Sequence, residues 1–589
     1  MIKRESGQVE ASWRRRFRAP TVSFPNWAPR NPQHLLYTSN LVGKSELYEW
    51  DMQTGRHRQV TDRPDGTAFG FLDPRGDWIW WFDDDHGNEF GRWRRQRFGS
   101  DSDEPATDLQ AAYQAGLALG DELAVVGLSG DRGTTFNLVR QGQASAPMYE
   151  HPEHASVEGL SRDEKLISMA HSEHGDSRHP ALRVLDLRGG IVGELRGEPG
   201  RGLDAGPWSP LAGDQRLIVL HERTGLKRPA IWAPLRATLS ELAIDLPGEV
   251  SASWYPDARA LLLTHEWQAR SELYRLELEP RRLHRLNHPK GTIASAQVRP
   301  NGEVWYDWSS AAHPPEVRSE GRVVLRPPGD PAPAGVAFQD LWVNGIHVFL
   351  AEPSAARPHP TVVGVHGGPP SYSGDEFLPR TLAWVDHGFA VLNVNYRGST
   401  SYGQAWRDAI EGNPGFTELA DIAAVRAYAV DNGIADPHRI ILTGGSWGGY
   451  LTLLGLGTQP DLWSLGIAEK PTADYIAAFE DMMEPEKAFD RALFGGSPAD
   501  RPEFYAERSP ITYAERLMAP VQILAGQNDP RCPIRQIHNY LARLKKLGKA
   551  VEYWEFDAGH FVQVVDDSIR QMELKVAFAS KHLGTQSPM

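Results

Sequence analysis

A single cysteine, Cys532, occurs among the 589 residues of the sequence. One thiol excludes an internal disulfide, and no cluster of cysteine and histidine residues is available for a structural zinc ion. His366, beside a pair of glycines, likewise has no second histidine at metal-ligand spacing. A lone cysteine is typical of proteins from a reducing compartment, so we expect a cytoplasmic protein with no metal site.

Long apolar runs and an excess of basic charge are also lacking. No apolar stretch approaches the roughly 18 residues of a transmembrane helix, and the mean hydropathy is −0.45. The first twenty residues contain four arginines but no apolar core of the kind found in secretory signals. Acidic residues outnumber basic ones by 76 to 62, which gives a net charge of −14. Nucleic acids and anionic membranes attract basic surfaces, so we expect neither as a partner.

No motif for a nucleotide cofactor is present either. The loop Gly-x-x-x-x-Gly-Lys-Ser/Thr, whose backbone cradles phosphates, does not occur. The apolar fraction of 40% and the charged fraction of 23% are ordinary for globular proteins, which excludes a disordered or fibrous chain. We expect a globular protein that works without a cofactor.

The first half of the chain carries a repeat. A small or apolar residue, a proline and a polar turn precede an alternating strand, most clearly at Pro74, Pro256 and Pro300. Seven anchors lie at positions 29, 74, 118, 162, 210, 256 and 300, at spacings of 44 to 48 residues, and the two at 118 and 162 are degenerate copies that lack the proline. This period is that of a four-stranded propeller blade. The sequence therefore predicts a seven-bladed β-propeller over residues 22–325, preceded by an N-terminal extension at residues 1–21.

The pattern changes after a proline-rich segment, residues 326–336, which we interpret as a linker. Beyond it, apolar runs such as 361–365 and 390–394 alternate with helical patterns such as 416–432. Uninterrupted apolar strands are buried on both faces, and their alternation with helices is typical of a parallel sheet. Residues 337–589 are therefore predicted to form an α/β domain with a mostly parallel, doubly wound sheet.

The motif Gly-x-Ser-x-Gly occurs in this second domain, around Ser446. It directly follows the buried strand 439–443 and precedes a helical pattern over 450–456. In this context a sharp, strained turn presents the serine hydroxyl at the carboxyl edge of the sheet. The alternative is a glycine-rich turn between strand and helix in which the serine has no catalytic role. We predict that Ser446 is a nucleophile and that residues 337–589 form an α/β-hydrolase catalytic domain.

A serine nucleophile needs a histidine base, and the histidine needs a carboxylate that fixes its tautomer. In this topology the acid and then the histidine follow the serine, each after a strand. Asp529 follows the strand 521–525, and His560 follows the strand 551–556. Asp557 is a rival acid, but it lies only three residues before the histidine and is better suited to shaping the turn. Asp529 and His560 are the predicted partners of Ser446.

The tetrahedral intermediate of acyl transfer needs hydrogen-bond donors for its oxyanion. One predicted donor is the backbone N–H of Trp447, the residue after the nucleophile. The second is expected in the loop after an early strand, where Gly367 and Gly368 follow His366. We favour Gly368, and the sequence leaves open which of the two glycines donates.

A propeller followed by a hydrolase domain with this motif order resembles the prolyl oligopeptidase family of serine peptidases. Within it, the sequence looks most similar to the acylaminoacyl-peptidase branch and to related bacterial aminopeptidases. The motifs that carry the resemblance are His366–Pro369, Asn395–Ser399, Gly444–Tyr450, Asp529–Pro533 and Gly559–His560.

The resemblance implies a further site residue and a function. In the family, an arginine two residues after the aspartate grips a substrate carbonyl, and Arg531 matches that position. A surface arginine paired with a nearby acid is the alternative, and the Asp-x-Arg-x-Pro match favours the substrate role. The acidic segment 83–89 looks like a family hairpin, either a solvated turn or a capture site for a substrate amino group. The family also implies a propeller that admits only small substrates.

We therefore expect a serine peptidase that hydrolyses short peptides or aminoacyl and acylaminoacyl amides through an acyl-enzyme. One alternative keeps the triad but assigns it an ester or a non-peptide aminoacyl compound as substrate. Another treats the propeller as an interaction platform beside an inactive hydrolase. The side chain preferred before the cleaved bond, endo- or exopeptidase action, the natural substrate and homo-oligomer formation stay open.

Overall fold

The computed structural model describes residues 10–584, so the outer ends of the predicted N-terminal extension and hydrolase domain, residues 1–9 and 585–589, lie outside the described residues. The chain forms a β-propeller followed by an α/β domain. Within the described range, the propeller strands form five four-stranded antiparallel sheets and one eight-stranded antiparallel sheet.

The propeller strands follow one another along the chain with short turns. The first sheet contains β1 (Asn26–Trp27), β2 (His34–Ser39), β3 (Glu46–Asp51) and β4 (Arg56–Gln59). The eight-stranded sheet contains β5 (Gly70–Leu72), β6 (Trp78–Asp84), β7 (Phe90–Arg97), β8 (Asp103–Pro105), β9 (Ala112–Leu119), β10 (Leu123–Gly130), β11 (Gly133–Arg140) and β12 (Ala146–His151).

The remaining four sheets of the propeller each contain four consecutive strands. They are β13 (Ala155–Leu160), β14 (Leu166–His171), β15 (Ala181–Asp186) and β16 (Ile191–Leu195); β17 (Leu203–Trp208), β18 (Leu217–His221), β19 (Arg228–Ala233) and β20 (Thr238–Glu241); β21 (Glu249–Trp254), β22 (Ala260–Trp267), β23 (Arg270–Glu277) and β24 (Arg282–Arg285); β25 (Ala296–Val298), β26 (Val304–Ser310), β27 (His313–Ser319) and β28 (Arg322–Leu325).

Neighbouring propeller sheets pack face to face. Leu182 and Val184 of β15 form one such core with Leu217 and Val219 of β18. Alternation of apolar and polar residues along each strand supplies the apolar faces that these cores need.

The α/β domain is built on one eight-stranded sheet. Its strands are β29 (Gln339–Val343), β30 (Ile346–Ala351), β31 (His359–Val365), β32 (Ala390–Asn395), β33 (Ala435–Gly445), β34 (Leu465–Glu469), β35 (Val521–Gly526) and β36 (Val551–Phe556). They lie in the order β29-β30-β32-β31-β33-β34-β35-β36, and all are parallel except β29 and β30. The predicted strands 361–365, 390–394, 439–443 and 521–525 all fall inside this sheet.

Helices cover both faces of the sheet. They are α1 (Ser12–Arg18), α2 (Pro379–Asp386), α3 (Gln404–Arg407), α4 (Phe416–Asp431), α5 (Trp447–Thr458), α6 (Tyr475–Asp481), α7 (Glu484–Phe494), α8 (Pro502–Arg508), α9 (Ile534–Lys546) and α10 (Val565–Leu583), with 3₁₀ turns at Asp408–Ile410 and Pro510–Arg516; a further 3₁₀ turn, Pro234–Arg236, lies in the propeller between β19 and β20. The larger core contains α4, α5 and α9, whereas α1, α2 and α10 share the core on the opposite face.

The N-terminal helix α1 packs on the α/β domain rather than on the propeller. Trp13 is buried in the core with α2 and α10, and Arg16 pairs with Asp386 at 2.6 Å. The described part of the predicted extension is thus tied to the catalytic domain. Among residues 10–584, no helix is long and apolar enough to cross a membrane.

Candidate active site

Ser446 lies at the turn between β33 and α5, at the carboxyl edge of the sheet. Its backbone has φ 56° and ψ −121°, a conformation that costs free energy for a residue with a side chain and that is common at active sites. The Ser446 N–H donates to the Glu469 carbonyl at 2.9 Å, which joins the turn to the end of β34. The turn is held in its strained geometry by the sheet beneath it.

Glycines around Ser446 allow the turn to pass close to β31. A methyl group added at Gly448 would lie 2.3 Å from the Val365 carbonyl oxygen, and one at Gly444 would lie 2.4 Å from the same atom. No side chain fits these positions without movement of the backbone. The Gly-x-Ser-x-Gly pattern is therefore required here by close packing of strand and helix.

Asp529 and His560 are in direct contact. Asp529 Oδ2 and His560 Nδ1 lie 2.7 Å apart, and both residues are buried. The other oxygen, Oδ1, accepts hydrogen bonds from the N–H groups of Arg531 and Cys532, both at 2.9 Å. Burial acts to raise the pKa of Asp529, but the His560 interaction and the two amides outweigh it, so this pKa lies below its ordinary value. The carboxylate is thus ionised and oriented.

Asp557, the rival acid, points elsewhere. Its Oδ1 accepts hydrogen bonds from Gln527 and Asn528, at 3.0 and 2.9 Å, on the exposed side of the loop. The two other histidines after Ser446 also have other contacts: His538 contacts Glu555 on the surface, and His582 packs on Phe578.

Ser446 and His560 line one cavity of about 600 Å³, together with His366, Gly367 and Lys470. Gly367 lies directly beside the serine, because a methyl group at Gly367 would be 3.3 Å from Ser446 Cβ. The cavity is large enough for a small-molecule ligand or a short peptide segment.

Two candidate oxyanion donors are chain neighbours of residues that line this cavity, because Trp447 follows Ser446 and Gly368 follows Gly367. Trp447 is the first residue of α5, and the first N–H groups of a helix have no partner within the helix. Gly368 has φ 120°, which few residues other than glycine adopt. The geometry brings the predicted loop to Ser446 and leaves the choice between Gly367 and Gly368 open.

His366 anchors the glycine loop from below. Its Nε2 contacts Ser399 Oγ at 2.7 Å, and its ring stacks on Tyr396 at a centroid distance of 4.3 Å. The Tyr396 hydroxyl donates to the His366 carbonyl at 2.8 Å. Burial lowers the pKa of His366 to about 4, so the ring is neutral at physiological pH.

Arg531 is held between two acids. Its guanidinium pairs with both carboxylate oxygens of Glu89 at 2.7 Å, and it contacts Glu486 of α7 at 3.2 Å. Glu89 belongs to the acidic hairpin of the propeller, so the hairpin docks on the catalytic domain. Burial acts to lower the Arg531 pKa, but the two acids raise it above its ordinary value.

Three residues at this edge were not singled out from the sequence as individual site residues. Glu89 was part of a segment with two open interpretations, Glu486 lies in a helical pattern, and Lys470 simply follows a strand. Their positions depend on contacts between segments far apart in the chain. Only the acidic composition of residues 83–89 gave a signal.

Two groups of side chains offer several ligand atoms within reach of one metal ion, counting residues 10–584 alone. Asp529, Cys532 and His560 form one group, but burial raises the pKa of the Cys532 thiol well above its ordinary value, and a protonated thiol is a poor ligand. His179, Asp408 and Glu411 form the other, and arginines occupy both carboxylates. Neither group is arranged as an open metal site.

Comparisons with known proteins agree with this architecture. Residues 376–586 match the prolyl oligopeptidase family. Dipeptidyl peptidase family member 6 of Caenorhabditis elegans is 30% identical over 238 residues, which are 39% of this chain and 32% of the relative. The acylamino-acid-releasing enzyme of Rattus norvegicus is 29% identical over 268 residues, 44% of this chain and 36% of the relative. The chain thus spans about a third of the length of these relatives.

A solved structure extends the likeness to the whole chain. The puromycin-hydrolyzing peptidase of Mycobacterium tuberculosis superposes with a TM-score of 0.84 at 19% identity, covering 98% of this chain and 97% of that one. At this identity the likeness concerns the fold, a propeller with an α/β domain. Over residues 376–586, which include Ser446, Asp529 and His560, the chain is similar to the prolyl oligopeptidase family of serine peptidases.

Proposed function

We propose that the protein is a serine peptidase that hydrolyses short peptides or aminoacyl and acylaminoacyl amides. The observation that carries the proposal is the buried Asp529–His560 contact of 2.7 Å in a cavity that His560 shares with the strained Ser446. A nucleophile at a strand–helix turn with a carboxylate-oriented histidine beside it is the arrangement that acyl transfer needs.

In the proposed mechanism Ser446 Oγ attacks the substrate carbonyl while His560 accepts its proton. Asp529 keeps the proton of His560 on Nδ1 and stabilises the imidazolium that forms. His560 then gives its proton to the leaving amine, and water repeats the sequence to release the acid. The N–H groups of Trp447 and Gly368 stabilise the oxyanion, a contribution of about 3 kcal/mol for a donor of this kind.

Arg531 is the proposed substrate-binding residue. Its pairing with Glu89 and Glu486 holds the guanidinium in one orientation beside the catalytic loop, and a free N–H direction is left for a substrate carbonyl because guanidinium has five donors. The acids beside it are also suited to a substrate amino group. This combination favours small substrates with a polar N-terminal end.

The propeller is proposed to restrict access. Ion pairs cross from it to the catalytic domain around the site: Glu89–Arg531, Glu222–Arg407, Arg178–Asp408 and Arg270–Asp375. With the propeller fixed over the cavity in this way, only short or unfolded chains reach Ser446.

Three finer assignments accompany this proposal. We count the eight-stranded sheet as two blades, β5–β8 and β9–β12, joined by the pairs Phe90–Tyr113 and Gly91–Ala112, which gives seven blades. The proposed domain limits are 22–325 for the propeller, 326–336 for the linker and 337–589 for the hydrolase. The proposed location is the cytoplasm, and the proposed partner is the substrate alone, without nucleic acid or membrane.

The experiment that tests the proposal is a panel of chromogenic anilides. Free aminoacyl, N-acetyl-aminoacyl, dipeptidyl and blocked prolyl anilides are each given to the wild type and to Ser446→Ala. We expect activity concentrated in one class and lost by at least about 10³-fold in the variant. Equal activity of the variant and the wild type would contradict the assignment of Ser446.

A second candidate substrate class is an aminoacyl-nucleoside amide. It is favoured by the structural likeness to a protein described as a puromycin-hydrolyzing peptidase. An ester substrate is the other alternative for the same triad. Comparing kcat/KM for puromycin, an aminoacyl ester and the best anilide separates these candidates, and no turnover of any of them would favour an inactive hydrolase.

A further inference from the structure

The cavity that Ser446 and His560 line is also lined by a group of charged side chains. This charged end is formed by residues from β34, α10 and the start of α2, and its members are Glu376, Arg380, Glu469, Lys470 and Lys575. Three of these five side chains are basic. The catalytic machinery described above uses none of them.

Lys470 contacts the loop that carries His560. It follows β34 directly, has φ 46°, and its backbone N–H donates to the Leu524 carbonyl at 2.7 Å. Its Nζ donates to the backbone carbonyl of His560. The ammonium group is therefore fixed at the loop that carries the catalytic base.

The charge of Lys470 is not matched by a carboxylate. Counting only the part of the chain that the structure describes, no carboxylate oxygen lies within 4.0 Å of its Nζ. Glu469 is engaged by Lys575 at 2.9 Å, and Asp529 is engaged by His560. Burial lowers the pKa of Lys470, and Glu469 and Asp529 only partly oppose it.

A second polar group in the cavity lacks a partner. Asn393, on β32, is more than nine-tenths buried and lines the cavity. Its Nδ2 makes no hydrogen bond to any described residue. Buried donors are normally satisfied, so an unpaired amide and an unmatched ammonium in one cavity indicate a ligand that brings acceptors.

The position of His560 indicates which part of a substrate reaches the charged end of the cavity. In the proposed mechanism His560 passes its proton to the leaving amine, so the leaving group lies on the His560 side of Ser446. Lys470 lies on that side, because its Nζ donates a hydrogen bond to the His560 carbonyl. An anion in the leaving group would then meet the ammonium within one or two residues of the cleaved bond.

We propose that Lys470 anchors the free α-carboxylate of a leaving amino acid or dipeptide. This proposal rests on the proposed function and specifies its leaving-group preference. Arg380, whose side chain is 66% exposed and lies 3.9 Å from Glu469, adds positive charge at the mouth. Glu376 is the opposing acid of the cavity, and burial raises its pKa, which favours its neutral form. The cavity thus selects small peptides with an unblocked C-terminus.

The test compares matched peptides that differ at the C-terminus. N-acetylated tripeptides ending in a free carboxylate or in a carboxamide are hydrolysed by wild type, Lys470→Gln and Lys470→Arg. We expect wild type to prefer the acid in kcat/KM by about 10- to 100-fold, the range of a hydrogen bond to a charged group. The preference should fall to near one in Lys470→Gln and persist in Lys470→Arg. Lys545→Gln, which removes an exposed lysine of α9, should keep the wild-type preference.

A role confined to holding the His560 loop gives a different result. In that case Lys470→Gln would slow acid and amide peptides equally, and the unchanged ratio would overturn the proposal. A wild type that hydrolyses both peptides equally well would overturn it too.

A binding measurement tests the proposal without requiring turnover and without relying on the folding of a Lys470 variant. Alanyl-alanine and its carboxamide are titrated calorimetrically into Ser446→Ala, which retains Lys470. Tighter binding of the acid supports the anchor even if no peptide is hydrolysed, in which case the proposed function alone fails. Equal binding of the two dipeptides refutes the anchor.

Discussion

The carboxylate of Asp529 does more than contact His560. Because Oδ1 is held by two backbone amides, Oδ2 has one fixed direction, and it faces Nδ1 of His560. In the proposed mechanism this leaves Nε2 as the nitrogen that exchanges protons with Ser446 and the substrate. A neutral amide at position 529 would permit the wrong tautomer of His560 without changing the shape of the loop.

Replacing Asp529 by Asn should therefore lower kcat by about 10⁴-fold with little change in stability. The matched control is Asp557→Asn, three residues before His560, where the side chain closes a surface turn and lies 3.7 Å from His86 of the propeller. Measurement of kcat for the best anilide and of Tm for both variants checks this expectation. A similar loss of activity in the two variants would contradict the assignment of Asp529.

The backbone N–H of Cys532 donates a hydrogen bond to Asp529, whereas its thiol is packed in the interior. It is 8% exposed, and burial raises its pKa well above the ordinary value. A protonated, buried thiol reacts slowly with alkylating reagents.

The turn between β33 and α5 is the element on which the site depends. Its backbone passes the end of β31 at a distance that only glycine permits, at Gly444 and Gly448. Gly445, between Gly444 and Ser446, is different, because a methyl group there would meet only ordinary contacts at 3.7 Å or more. Neighbouring glycines in one motif thus have different structural roles.

Gly448→Ala should destabilise the protein by roughly 1–3 kcal/mol or more and displace Ser446, because the added methyl group overlaps the Val365 carbonyl. Gly445→Ala, the matched control, should keep both stability and activity close to wild type. Tm and anilide hydrolysis are measured for both. If Gly445→Ala proves as damaging as Gly448→Ala, the close-packing explanation is wrong.

Elements with strong local signals were predictable from the sequence. The apolar runs of β31, β32, β33 and β35 and the glycine turn at Ser446 depend on short stretches of chain, so their type and order follow from pattern alone. The pairing of β7 with β9 did not follow, since edge contacts between repeats are set by packing. The position of α1 did not follow from the sequence either, because its docking on α2 and α10 depends on the burial of Trp13 against distant segments.

At the scale of the whole molecule, the site is completed by contacts between distant segments. Arg531 meets Glu89 across 442 residues of sequence, and Lys470 meets His560 across 90. The order of Ser446, Asp529 and His560 could be read from the topology of one domain. Which propeller residues face them could not, because that depends on how the two domains dock.

The docked arrangement includes a histidine that carries charge at neutral pH. His179, in the propeller, is buried; its Nδ1 contacts Asp176 at 2.8 Å, and its Nε2 faces Asp408 of the catalytic domain at 3.7 Å and Glu411 at 4.0 Å. Burial acts to lower the pKa of His179 and Arg178 also opposes its charge, but the acids prevail and raise the pKa to about 9. The imidazolium thus links the two domains.

The sign of the pH effect follows from this raised pKa. The folded protein holds the proton more tightly than the unfolded chain, so the stabilisation is complete below the ordinary value of 6.5 and is lost as the pH rises through about 9. A shift of this size corresponds to an upper value of about 3 kcal/mol. The propeller should therefore hold the catalytic domain less firmly in mildly alkaline solution than at neutral pH.

His179→Gln should remove this pH dependence, because glutamine carries no charge at any pH. Hydrogen exchange of the segment around α3, residues 404–411, is measured at pH 6.5, 8 and 9.5, with rates corrected for intrinsic exchange. In wild type, and in the surface control His538→Gln, protection should fall as the pH rises. In His179→Gln it should be low and constant, since Asp408 and Glu411 then keep only their arginine partners. A parallel fall in all three proteins would assign the pH effect to other groups and exclude His179 as the link between the domains.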